Sequence, residues 1–430
     1  MKTQELKATP IPFLSHCLPL RLLAALTLLL LARPMFACDL PTVEPTVNPD
    51  VRTVSDANNA FAFKLYNELT KNKANMGQFF SPFSIFCALS MTSEGLAGKS
   101  LDDLRKGMGL PDEEALHSGL IGIGSSLTAK NLPYAMALAN AMWPNASTKI
   151  KPDFIATIRS AYLGESKPLD FMKQPDASRK TINGWVSKMT HDRINDLLPV
   201  GSITSDTRMV LTNAIYFKGS WASEFDKTLT RQQPFMRDGQ SAVQVPLMHK
   251  PADGIQMAYT EYNGTQVLEI PYKGDDLSMI VMLPKSGKIG QLESQLSASE
   301  WTKIRKSMTD HEVDLRLPKF KMALGGSIKP QLIAVGLGGL FEDGDFSRMF
   351  EQGGNYSVSD VLHKAFVEVN EEGTEAAAAT AVVIVEESAH EPEEVIDFRA
   401  DHPFLFMIQQ RSTGNILFMG KVTDPSAALG

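Results

Sequence analysis

From about residue 55 to residue 425 the sequence runs without a linker, a low-complexity break or an internal repeat, and that continuity constrains the fold most. Helical periodicity fills the first half of this stretch and strand patterns dominate after about residue 205. Without βαβ alternation, a parallel doubly wound sheet is excluded and the α+β class is expected. Length alone would suggest about two to four domains. An unbroken stretch of helices followed by strands reads instead as one large domain.

The local signals are these. Ala57, Phe61, Leu65 and Leu69 recur every four residues, with Ser55 expected as the N-cap. Pro82, directly after Ser81, opens a second apolar helix at the position where a missing N–H costs nothing. Ser100 to Asp103 reads as a capping box, and Gly107 and Gly109 stop the helix that follows. Phe154, Ile158 and Tyr162 form a third stripe; Ile182, Val186 and Met189 form a fourth around Trp185. Strands are expected at 208–217, 266–272, 277–283, 313–317, 361–369, 404–410 and 415–422, each β-branched or aromatic-rich and bounded by Gly, Pro or Asp. Segment 277–283 is continuously apolar, as a strand covered on both faces would be.

Composition is that of a folded protein, with 43% hydrophobic and 21% charged residues, so disordered and collagenous classes are excluded. The net charge of −7 comes with no basic block, which argues against a nucleic-acid partner. Three cysteines, Cys17, Cys38 and Cys87, cannot build a disulfide framework, so a large apolar core must carry stability. Residues 1–37 read as a signal segment: the apolar run 22–32 lies between Arg21 and Arg33 and is shorter than the roughly 20 residues a membrane span needs. A secreted chain with no transmembrane span is expected. The Ala37–Cys38 junction also resembles a bacterial lipoprotein box, which Met35 and Phe36 fit poorly; Cys38 would then be lipidated and the protein tethered at the cell surface. Residues 38–54, with three prolines, read as an extended linker.

Catalytic signatures are missing. There is no G-x-S-x-G elbow and no H-E-x-x-H pair. Gly98-Lys99-Ser100 imitates the end of a phosphate loop, but Ser93 stands where the earlier glycine is required. The eight histidines lack paired metal spacing. No catalytic residues, metal or cofactor are expected.

Residues 371–394, EEGTEAAAATAVVIVEESAHEPEE, carry the most information. Gly373 supplies a pivot, residues 374 and 376–381 are all Thr or Ala, and a β-branched run at 382–385 precedes five glutamates within nine residues. An Ala-rich helix with a solvated acidic end is one reading. The other is an exposed loop able to become a strand, because small side chains can enter between two existing strands without clashes.

The surrounding sequence resembles the serpin family of protease inhibitors. HKAFVEVNEEGTEAAAAT (363–380) and DFRADHPFLFMIQQRSTGNILFMGKVTDP (397–425) carry the resemblance. Upstream it continues through FFSPFSIFCALSM (79–91), LANAMW (138–143), INGWVSKMTHDRINDLLPVGSI (182–203), TRMVLTNAIYFKGSW (207–221) and LPKF (317–320), in family order. It implies a single domain over 55–425 with three β-sheets, eight or nine helices and an exposed reactive-centre loop at about 371–395. It also implies a suicide-substrate inhibitor. The target serine protease cleaves the loop, is trapped as an acyl-enzyme, and the loop inserts into the central sheet of a metastable monomer.

Residue by residue, the resemblance implies a hinge at Glu371, Gly373, Thr374, Ala376, Ala377, Ala378 and Ala379, the small-residue pattern of inhibitory members. It implies a shutter of Ser81, Ser84, Asn213 and His363. Trp221 matches the breach tryptophan, and Lys319 the partner of Glu371. Counting from Glu371 places the scissile bond at Glu387–Ser388, with neighbouring bonds as alternatives. No Lys or Arg occurs from Gly373 to Val395, so elastase-like, subtilisin-like or glutamyl-specific targets are expected over trypsin-like ones. A non-inhibitory carrier or chaperone, and an inhibitor of papain-like cysteine proteases, are the alternatives. Residues 94–100 depart from the family's G-A-x-G-x-T pattern, with Ser100 able to replace the Thr hydroxyl. The sequons at Asn145, Asn263 and Asn355 matter only in a eukaryotic host.

Overall fold

The computed structural model describes residues 48–71, 73, 76–162, 164–285, 287–352, 355–374 and 394–427. Within them lie nine α-helices and sheets of ten, six and two strands, an α+β architecture. None of these helices is long and apolar enough to cross a membrane.

The six-stranded sheet organises the molecule. Its long strands run in the order Phe320–Ser327, Asp360–Asn370, Met209–Ser220 and Tyr134–Pro144, with Gly373–Thr374 and Glu165–Ser166 as short additions. Its inner face packs on the ten-stranded sheet and on the helix Pro82–Ser93, as in the contact of Phe217 with Phe418 at 6.2 Å between ring centroids. Its outer face is covered by the helix Pro175–Met189, whose Ile182 and Val186 bury against Val210, Ala214, Leu362 and Phe366. Side chains alternate faces along each strand. Thus Leu211, Ile215 and Phe217 belong to the inner core, and Val210 and Ala214 to the outer one. The apolar segment read at 277–283 is the strand Leu277–Pro284, flanked by partners on both sides and buried throughout.

Three local expectations are corrected. The first helix is Pro49–Thr70, capped by the Asn48 side chain, which accepts from the Asp50 N–H; Ser55 lies inside it and donates to the Val51 carbonyl. Val51 and Val54 extend the apolar stripe by one turn, so residues 49–54 are helix rather than linker. Ser100 caps nothing: the helix Gly98–Met108 starts after Ala97, and the Ser100 hydroxyl accepts from the Asp345 N–H instead. Tyr134–Pro144 is a long strand in the half read as helical. Its Ala- and Met-rich composition favours helix, and pairing along its whole length with Met209–Ser220 overrides that preference.

Candidate functional site: a parallel seam in the six-stranded sheet

Asp360–Asn370 and Met209–Ser220 run parallel and pair only from Asp360–Val210 to Ala365–Ile215. Each pairs antiparallel with its other long neighbour. Above Ala365 and Ile215 the two strands separate, and Gly373–Thr374 fills the top of the gap, antiparallel to both. Thr374 lies opposite Val369 on one side and Gly219 on the other.

The turn that delivers Gly373 is held from several directions. Glu371 and Glu372 carbonyls accept from the backbone N–H groups of Phe225 and Trp221 at 2.9 and 3.0 Å. The buried Trp221 indole donates to the Asn370 carbonyl at 2.9 Å and stacks on Tyr272, centroids 4.7 Å apart. The Tyr272 hydroxyl, whose pKa burial pushes up, hydrogen-bonds the Thr374 hydroxyl at 2.7 Å. Burial alone would raise the Glu371 carboxyl. The hydrogen bonds from Lys319 and Thr230, at 2.9 Å each, hold it below its ordinary value. Glu372 pairs with Lys227. Gly373 sits at φ +148°, where a Cβ would stand 2.1 Å from the Gly219 carbonyl oxygen, so no larger residue fits this approach.

Beneath the closed part of the seam lies a buried polar cluster. Asn140, Asn213 and His363 are register partners across three strands. The Asn213 amide donates to Ser84 Oγ and Asn140 Oδ1, both at 2.6 Å. Ser84 Oγ is 3.2 Å from Asn140 Oδ1. His363 Nδ1–H donates to Asn213 Oδ1 at 2.5 Å, while Nε2 accepts the Ser81 N–H at 3.0 Å. Ser81 Oγ in turn donates to the Leu417 carbonyl at 2.6 Å. Full desolvation lowers the His363 pKa to about 3, so the ring is neutral and this tautomer is fixed. Buried groups so paired are costly to separate; the His363–Asn213 bond crosses the seam and must break if the strands part.

Of the residues read from sequence, Ser81, Ser84, Asn213 and His363 therefore meet in one cluster, and Trp221, Lys319, Glu371, Gly373 and Thr374 meet at the top of the seam. Ala376, Ala377, Ala378, Ala379, Glu387, Ser388 and Cys38 lie outside the described residues. Asn140, Tyr272 and Thr230 were not anticipated. Asn140 left a signal, as the one amide in the apolar run 138–143; Tyr272 and Thr230 left none, since their partners come from distant segments.

Among the described residues, Glu94, Glu113 and His117 bring potential metal ligands within 4.8 Å of one another. Those groups already have partners: Tyr162 and His117 on Glu94, at 2.5 and 3.0 Å, and Arg348 on Glu113 at 3.0 Å. Glu94 follows the far end of the helix Pro82–Ser93, about 20 Å from Ser81 by helix rise.

Comparison with known proteins agrees with this architecture. A family model described as "Serpin (serine protease inhibitor)" matches residues 56–425. An uncharacterized serpin-like protein of Thermococcus kodakarensis is 38% identical over 389 residues, covering 89% of both chains. The leukocyte elastase inhibitor of Xenopus tropicalis is 36% identical over 386 residues, covering 87% of this chain and all of that protein. The solved structure of Arabidopsis AtSerpin1 in its native stressed conformation superimposes with a TM-score of 0.76 at 31% identity, covering 89% of this chain and 100% of that one. The fold, the seam and these relatives together place the chain in the serpin family.

Proposed function

We propose that this protein inhibits extracellular serine proteases as a suicide substrate, by cleavage and insertion of its own loop. The observation that carries the reading is the pairing of Gly373–Thr374 at the mouth of a parallel seam that is still closed below. A strand continuing downward would replace one parallel contact with two antiparallel ladders, the more stable pairing per residue. The intact protein is then held by a barrier rather than by the equilibrium minimum.

The inserted state proposed here continues the existing register. Continued residue by residue from Thr374, it brings Thr380 between His363 and Asn213, and Val383 opposite Asp360 and Val210. Ala376, Ala378, Thr380 and Val382 would then face the inner core, as Thr374 does, beside Phe217, Ile215 and Val367. Glu375, the one charged residue among them, would fall on the outer face opposite Lys218 and Glu368, which are part-exposed. The Thr380 hydroxyl would meet the two groups whose mutual hydrogen bond insertion breaks. Overpacking such slots costs about 1–3 kcal/mol each, which explains a run of small residues here.

In this reading Glu371, Gly373, Thr374 and Ala376 to Ala379 are the hinge. Ser81, Ser84, Asn213 and His363 form the lock on the seam, and Trp221 and Lys319 hold the turn above it. Glu387–Ser388 is the reactive bond, offered to elastase-like, subtilisin-like or glutamyl-specific proteases by a secreted monomer. The test is incubation of residues 39–430 with elastase, subtilisin, glutamyl endopeptidase and trypsin, read on denaturing gels and by fragment mass. A covalent complex releasing a fragment that begins at Ser388 is expected. Cleavage without a complex by every protease would make the protein a substrate and favour a carrier role.

A further inference from the structure

After the strand Ile416–Val422 the chain turns back over Asp424–Ala427, and the turn is tightly held. The Asp424 carbonyl accepts from the Ala427 N–H at 3.4 Å. One oxygen of the Asp424 carboxylate accepts from the Ser426 N–H and hydroxyl at 2.9 and 2.6 Å, and the other accepts from Arg237 at 2.9 Å. These bonds fix the point from which the chain runs on. Ala427 stands in the wall of a cleft of about 450 Å³. The same wall includes the strand Gln78–Phe80, from the ten-stranded sheet, and the end of Phe320–Ser327, from the six-stranded sheet. Met76 also lines the cleft and is 57% exposed, although its side chain would gain from leaving water. Ala428 and Leu429 come next, and Leu429 is the one large apolar side chain after Val422. Two residues span at most about 7 Å, and a sphere of the cleft's volume is about 10 Å across, so Leu429 reaches the cleft from Ala427 but no distant surface.

We infer that this cleft is the docking site of the chain's own segment 428–429, with the Leu429 side chain packed on Met76. Docking takes two apolar side chains out of water together. It needs little intrinsic affinity, because so short a tether holds Leu429 at about millimolar local concentration or more. The docked segment joins strands of two different sheets by a contact that neither hydrogen-bonded ladder supplies.

The test is timed oxidation of residues 39–430 by dilute hydrogen peroxide at several protein concentrations, with sulfoxide at each methionine read by peptide mass. Met76, Met172 and Met236 are 57%, 56% and 54% exposed, so similar rates are expected at all three if nothing further covers Met76. With Leu429 in the cleft, Met76 should oxidise at least about threefold more slowly than Met172 and Met236. Leu429→Asp should bring Met76 up to their rate, and Leu429→Ile should keep it protected. Both substitutions lie beyond the last described residue, and melting curves check that the core is intact. Oxidation of Met76 as fast as Met172 in the wild-type protein, or protection that survives Leu429→Asp, overturns the docking. Protection that falls on dilution overturns it too, in favour of a second copy of the chain seated on the cleft.

Discussion

Replacing Ala376 by Asp sets the insertion account against a simple charge count. Continued past Thr374 in the proposed inserted state, the register would bring residue 376 between Phe217 and Val367, each 1% exposed in the inner core. A carboxyl buried there has its pKa raised by up to about 3–5 units, so it must take up a proton to insert and the inserted state loses about 4 kcal/mol at pH 7. If half of that is felt while insertion competes with hydrolysis of the acyl-enzyme, trapping slows about 30-fold. The intact protein should melt as wild type does, because in the proposed mechanism residue 376 enters the core only after cleavage. With elastase or subtilisin, the gel should show cleaved inhibitor in place of covalent complex. Lowering the pH from 7 to 5 should restore part of the trapping, since taking up the proton that burial requires costs less as the pH falls. Glu375→Ala, on the outer face, should leave trapping unchanged. Equal trapping by Ala376→Asp and wild type would refute the register and the burial argument together.

Other consequences follow from the same geometry. Gly373→Ala would drive a Cβ to 2.1 Å from the Gly219 carbonyl oxygen, so the two-residue pairing should be lost and complex formation reduced at least about tenfold, measured as inhibition rate. His363 is neutral and buried with its pKa at about 3, against 6.5 when free, so the unfolded chain gains a proton first as pH falls. Its contribution is complete above pH 6.5 and declines by about 1.4 kcal/mol per unit between 6.5 and 3. Unfolding rates in denaturant between pH 6.5 and 5.5 should show this slope, and His363→Gln should flatten it from a lower starting stability. Lys319→Ala leaves the Glu371 carboxylate with Thr230 as its remaining side-chain donor. Because the Lys319 side chain is 38% exposed, the loss should be about 1 kcal/mol, measured as faster unfolding above pH 5.

What was legible in the sequence were the elements whose signals are local. The run 277–283, the Ser81–Pro82 helix start and the strand at 361–369 needed no knowledge of their partners. The strand Tyr134–Pro144 carries helix-forming residues and is made a strand by its neighbour, so its own composition points the wrong way. The residues around the seam divide similarly. Gly373 and the alanines after it stand out as a block of small side chains. Tyr272 and Thr230 act through contacts 102 and 141 residues away in sequence, and a tyrosine after a proline or a threonine before an arginine carries no mark of that. The meeting of Asn140, Asn213 and His363 depends on the register of three strands, which is settled by pairing across the whole sheet.

The central claim is that the loop belongs, energetically, inside the seam. The most direct measurement is the melting temperature of the protein before and after a single cut in residues 384–393, made with elastase or glutamyl endopeptidase. If residues 375–383 add a strand bonded on both sides, the cleaved protein should melt about 10 °C higher or more. An unchanged or lower melting temperature, with the loop cut to completion, would contradict insertion and the inhibitory mechanism built on it.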